Sequence, residues 1–140
     1  MKEHSNLTLE TVGVKRTIYR IKIDGQISYV GETNNFERRK REHITQLQGM
    51  THKNKSLLKR YAMSPTGLIE IEPIIELPTD NLFVGYFCEG LAISYYQYSV
   101  CNGVVIAEGK GRIKLPCVEQ DLAYKLLTVL ADWYNTTLNL

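Results

Sequence analysis

The spacing of apolar and polar residues changes several times along the chain, and each change marks an element. The first 16 residues are a polar lead-in with one alternating run, Leu7-Thr8-Leu9-Glu10-Thr11-Val12, which predicts a short strand. Two stronger alternating runs follow, Thr17-Ile18-Tyr19-Arg20-Ile21-Lys22-Ile23 and Gln26-Ile27-Ser28-Tyr29-Val30. Asp24-Gly25 between them is a hairpin signal, because glycine supplies the positive φ of a tight turn. A two-residue Asp24-Gly25 loop places Tyr19 opposite Val30 and sends Tyr29 to the other face. A three-residue loop, Ile23-Asp24-Gly25 with a left-handed glycine bulge, places Ile21 opposite Ile27 and Tyr19 opposite Tyr29. A slip of one residue flips every side chain, so the isoleucine pattern favours the three-residue loop. Both tyrosines then share one face.

Beyond Gly31 the period lengthens. Glu32-Thr33-Asn34-Asn35 offers Thr or Asn as a cap for a helix from about Phe36 to Gln48, with Phe36, Ile44 and Leu47 on its buried stripe and Arg39 and His43 along one flank. A second basic helix is predicted over about Asn54 to Met63, ended by Ser64-Pro65-Thr66-Gly67. The run from Leu68 to Leu77 reads as a third strand, with Pro73 at an edge or a bulge. A largely apolar helix follows from Asn81 to about Tyr98, buried on most sides. Val104–Ala107 and Arg112–Leu115 suggest a small hairpin. The last helix is amphipathic, with Leu122, Leu126, Val129 and Trp133 on one stripe. The pattern gives an α/β (α+β) domain: a small, mainly antiparallel three-stranded sheet flanked by helices.

Composition sets outer bounds. At 140 residues, with 44% hydrophobic and 23% charged positions, the chain has the balance of one ordinary folded domain. No apolar run is long enough to span a bilayer, and the first residues hold no apolar signal core. Three widely spaced cysteines, Cys88, Cys101 and Cys117, fit reduced thiols buried as small hydrophobes; with no CxxC pair they do not suggest zinc. A cytoplasmic location is the expectation. Net charge is only +2, but its distribution is uneven. From Asn34 to Arg60, eight basic residues meet only Glu37 and Glu42, a local balance of +6, so the remainder sums to −4. Such asymmetry either solvates a helix face or draws a polyanion to it.

Glu89 is the sharpest chemical clue, being the only acid between Asp80 and Glu108 and lying in an apolar run. A buried carboxylate costs several kcal/mol unless it is paired, neutralised or used. It either bridges to a basic helix or serves as a hard oxygen ligand for Mg²⁺.

Ile18-Tyr19, Tyr29-Val30-Gly31-Glu32-Thr33, the helix Phe36-Glu37-Arg38-Arg39-Lys40-Arg41-Glu42-His43, then Glu89 with Ile93, and Asn102 stand in an order that resembles the GIY-YIG nuclease family. The likeness runs from about residue 17 to 103. Residues 1–16 are then an N-terminal extension, and 104–140 a hairpin and helix packed on the same domain. Thr17 stands where the family's first motif usually has glycine. The resemblance implies a DNA endonuclease of restriction or homing type using Mg²⁺ or Mn²⁺. Glu89 would bind the metal, Arg39 would stabilise phosphate charge, and Tyr19 or Tyr29 would help activate water. His43 would relay or donate a proton, and Asn102 would orient groups. Arg38, Lys40, Lys53, Lys55, Lys59 and Arg60 are the candidate DNA contacts. With no separate DNA-binding domain visible, the apolar last helix with Trp133 and Tyr134 suggests a homodimer or larger assembly. An RNA-cleaving enzyme and an inactive nucleic-acid-binding module are the competing readings. His52-Lys53-Asn54 superficially resembles an HNH-type nuclease motif, yet no metal-ligating partner follows at suitable spacing.

Overall fold

A computed structural model describes residues 7–97 and 118–140. Its elements are α1 (Leu9–Val12), β1 (Arg16–Ile23), β2 (Gln26–Thr33), α2 (Phe36–Gln48), α3 (Lys55–Ala62), β3 (Ile69–Leu77), α4 (Leu82–Tyr95) and α5 (Gln120–Trp133). The strands form one three-stranded antiparallel sheet, as the sequence pattern predicts, in the order β2-β1-β3. The run expected as a strand at 7–12 is instead the short helix α1, because Thr8 caps it by accepting from the Thr11 amide and the Gly13 amide closes its turn on the Leu9 carbonyl. The proposed hairpin at 104–115, Asn102, Cys101 and Cys117 lie outside the described residues.

The hairpin turns differently from the expectation. Asp24 and Gly25 have φ of 54° and 79°, and Ile23 pairs with Gln26, so the loop has two residues. The register then shifts: Lys22 faces Ile27, but Ile21 faces Tyr29 and Tyr19 faces Gly31. Ser28 is the extra residue of a β-bulge, fully buried, its hydroxyl donating to the Gln26 carbonyl. The bulge restores what the odd loop was invoked for. Tyr19, Ile21, Ile23 and Tyr29 share one face, while Ile18 and Val30 share the other. A second bulge on β3 lets Ile18 face Ile75 and Tyr19 face Pro73, so Pro73 stands at both an edge and a bulge.

Each face of the sheet buries a core. Leu47 of α2 and Leu57 of α3 pack with Tyr19, Ile21, Ile23 and Ile71 on one side. On the other, Cys88, Leu91, Ala92 and Ile93 of α4 and Ala123, Leu127 and Ala131 of α5 pack over Ile18, Val30, Ile74, Ile75 and Leu77. The buried stripe of α5 is therefore the alanine-rich one. Of the larger stripe read from the sequence, Leu122, Val129 and Trp133 are 44%, 61% and 47% exposed, and Leu126 is only partly buried. The alanines let α5 approach α4 closely, which the bulkier stripe would prevent. The second half of α4 is buried on all sides from Cys88 to Ser94, as expected, while its first half reaches solvent, with Phe83 70% exposed. The tail returns to β3 through an Ile75–Leu138 bridge and an Asn139 amide donating 2.8 Å to the Ile74 carbonyl.

Gly31 is fixed by packing. A Cβ built there collides with the Tyr19 ring at Oη and Cζ. Gly31→Ala must displace that buried ring, and the overpacking should cost about 1–3 kcal/mol. Urea denaturation should show a lowered midpoint with an unchanged slope; an unchanged midpoint would contradict this packing.

Candidate active site

Tyr19 is the centre of the site, only 2% exposed and lying over Gly31. Asn35 caps α2 by accepting from the Arg38 amide, and the helix then carries Phe36, Arg39 and His43 across the Tyr19 face. Phe36 packs at 6.0 Å between ring centroids, and Tyr19 Oη meets His43 Nε2 at 2.6 Å. Tyr29 stands edge-on to His43, with centroids 5.5 Å apart.

The end of α2 supplies a residue that the sequence reading weighed only as part of an HNH-like run and set aside. Gly49 closes the helix, Met50 takes a left-handed φ of 59°, and the Thr51 amide donates back to the Gln46 carbonyl at 2.8 Å. This reversal brings His52 beside His43, with Nε2 of His52 2.8 Å from Nδ1 of His43. Asn54 then caps α3 through its side chain, while its own amide donates to His52 Nδ1 at 3.0 Å. His52 sits nine residues after His43, across a helix end, so no helical or strand period links them. The available signs were the HNH-like run His52-Lys53-Asn54 and the fact that the chain holds only three histidines.

Burial pushes the His43 imidazole down to about 3, helped by Arg39 and His52, and burial with Arg39 also lowers His52. Burial raises the Tyr19 phenol well above its ordinary value; Tyr29 adds to the effect and Arg39 opposes it. Arg39 itself is held further in its charged form: burial works against it, but Tyr19, Glu42 and Tyr29 outweigh that. Glu42 accepts from Arg39 Nη1 at 3.0 Å and orients it. At neutral pH the site is thus a permanent cation beside neutral phenol and imidazole groups.

Glu89 comes from the opposite layer. Asn81 caps α4 by accepting from the Phe83 and Val84 amides, and α4 packs against β1, β2 and α5. One turn before Glu89, Gly85 leaves room for an Arg16–Glu32 ion pair; a Cβ there would meet Arg16 Cδ at 2.9 Å. Glu89 is 2% exposed, and its charge is the smallest of the causes that act on the Tyr19 phenol. Of the six candidate DNA contacts, Arg38, Lys53, Lys55 and Lys59 are exposed, and Lys40 and Arg60 half-buried. Lys40 lies 5.9 Å over the Phe36 ring. Among the described residues, no group of three or more His, Cys, Asp or Glu is placed to hold a metal ion, and no helix is long and apolar enough to cross a membrane. Cys88 is a buried core residue whose thiol burial pushes up to about 12.

Residues 15–73 match the family model of the GIY-YIG catalytic domain. The resemblance read from the sequence stands. That family is one of nucleases, so the GIY-YIG segment implies a nucleic-acid substrate. Tyr19, Tyr29, Arg39, His43 and His52 all lie inside the match, and Glu89 lies beyond it. No curated protein and no solved structure matches the chain.

The lowered His43 has a consequence for folding. A histidine whose folded value lies below its unfolded value binds fewer protons when folded, so its contribution is complete above about 6.5 and falls as pH drops toward 3. Stability should decline by about 1.4 kcal/mol per pH unit on account of His43 within that window. Urea midpoints of wild type and His43→Gln between neutral and acid pH test this. Parallel curves for the two proteins would refute it.

Proposed function

We propose that the protein is a DNA endonuclease of restriction or homing type that hydrolyses phosphodiester bonds with Mg²⁺ or Mn²⁺ held at Glu89. The observation that carries the reading is convergence on Tyr19: His43 touches its hydroxyl at 2.6 Å, and Arg39 and Glu89 both act on its charge. The donor set suits a hard ion, because Mg²⁺ takes one or two carboxylates and completes its shell with water and phosphate oxygens. A divalent ion there would supply Lewis-acid polarisation of the phosphate.

The chain's own groups do the rest. Arg39, oriented by Glu42, would neutralise charge on the pentavalent phosphate, where a planar guanidinium fits two oxygens. Tyr19 and Tyr29 lie on one face and would hold the attacking water, with His43 ordering Tyr19, and Asn102 would orient groups. Arg38, Lys40, Lys53, Lys55, Lys59 and Arg60 would contact the DNA backbone, whose affinity is set by such cations. A double-strand cut needs two sites, and the exposed stripe of Leu122, Val129 and Trp133 supports a homodimer. The expected setting is the cytoplasm.

Incubation of wild type, Glu89→Ala and Arg39→Ala with plasmid, single-stranded DNA and RNA, in Mg²⁺ or EDTA, tests the chemistry. Either substitution should lower cleavage by about 100-fold or more, and EDTA should abolish it. Cleavage that survives both Glu89→Ala and EDTA would overturn the metal assignment. Preference for RNA would reassign the substrate, and no cleavage at all would favour a binding module. Sedimentation should show a dimer that Trp133→Lys dissociates; monomer with and without DNA would remove that part.

A further inference from the structure

Three hydrogen bonds run in series from the backbone to Tyr19, and the first fixes the sense of the others. The Asn54 amide donates to His52 Nδ1 at 3.0 Å. A backbone N–H cannot accept, so this nitrogen is bare, and neutral His52 carries its hydrogen on Nε2. That hydrogen points at His43 Nδ1, 2.8 Å away, which must therefore accept. Neutral His43 then carries its own hydrogen on Nε2, 2.6 Å from Tyr19 Oη. The two imidazole planes lie within 15° of parallel, with ring centroids 5.0 Å apart. Both rings are buried, at 0% and 3% exposed, which favours the neutral form that this reasoning needs.

We propose that His52 is a positioning residue that locks His43 in its Nε2–H tautomer, so that Tyr19 receives a hydrogen bond from the protein and turns its own hydroxyl hydrogen toward the substrate. The lock is one-way. For Tyr19 to pass its proton to His43, Nε2 would have to be bare, His43 would need a hydrogen on Nδ1, and His52 one on its own Nδ1. The Asn54 amide already faces that last nitrogen. Tyr19 thus works as a neutral donor to a phosphate oxygen or to the attacking water, and sheds no proton through the histidines. This rests on the nuclease reading for its catalytic consequence, but the tautomer itself does not.

Two near-isosteric substitutions separate the polarity of the chain from its packing. His52→Gln keeps a donor toward His43 and an acceptor for the Asn54 amide. His52→Glu offers acceptors to both and reverses the bond to His43. Long-range ¹H–¹⁵N correlation on histidine-labelled protein, at about pH 8.5 where imidazoles are neutral, reads the tautomers directly. Wild type and His52→Gln should show His43 protonated at Nε2 alone, and His52→Glu should place a hydrogen on Nδ1. Cleavage by folded His52→Gln should stay within about 10-fold of wild type, and that by folded His52→Glu should fall about 100-fold. Wild-type His43 protonated at Nδ1, or a Glu variant as active as the Gln variant, would overturn the proposal. A wild type that cleaves no nucleic acid sinks the nuclease reading and the catalytic half, while the spectra still decide the lock.

Discussion

The Tyr19 ring lies against the bare backbone of Gly31, and the layout of one whole side of the sheet follows from that contact. A buried phenol must find a partner for its hydroxyl, since an unsatisfied one costs about 1–3 kcal/mol. The helix α2 passes over the ring and supplies His43. A buried imidazole has a second nitrogen to satisfy, so His52 is drawn in, and His52 in turn takes the Asn54 amide. That amide belongs to the cap of α3. One buried hydroxyl therefore ties the end of α2, the turn after it and the start of α3 into a single connected chain.

The sheet separates this neutral network from a charged one. On the opposite face Arg20 is 6% exposed and donates from Nε to Glu72 at 3.0 Å, from Nη1 to Tyr96 Oη at 3.4 Å, and to the Asn139 carbonyl. A buried guanidinium is tolerable only with several acceptors, and these come from β3, the end of α4 and the tail. The same residues that neutralise Arg20 also fasten the tail to the outer strand. Glu89 rides on α4 in this layer, and its charge still contributes, as the smallest of the causes, to raising the Tyr19 phenol in the other.

How much of this was legible depends on whether local chemistry or tertiary contact decides. Asp24-Gly25, Asn35, Asn54 and Asn81 announce a turn and three helix starts through side chains and φ angles they carry themselves, and the elements begin there. The shared face of Tyr19 and Tyr29 was also readable, because the isoleucines had to be buried together. The device that achieves it was not: a bulge at Ser28 and an odd-length loop give the same facing, and only packing around the buried serine chooses between them. On α5 two apolar stripes compete, and size favours the wrong one. Close contact with α4 selects Ala123, Leu127 and Ala131 instead. His52 was noticed only as part of an HNH-like run, and its pairing with His43 was missed because it is made through a turn, where sequence spacing carries no period.

The electrostatic ordering of the site bears on whether its hydrogen-bond sense persists when an anion arrives. Arg39 lowers both histidines, and a phosphate beside it would offset part of its positive charge. Were Arg39 the main cause, substrate binding would let the imidazoles take up protons and erase the distinction between their nitrogens. Burial is the larger cause for each, however, and a ligand that covers the mouth of the site deepens burial rather than relieving it. The backbone amide of Asn54 keeps its direction throughout, since no charge can make it an acceptor. The polarity that reaches Tyr19 is therefore a property of the folded chain, already set before substrate binds.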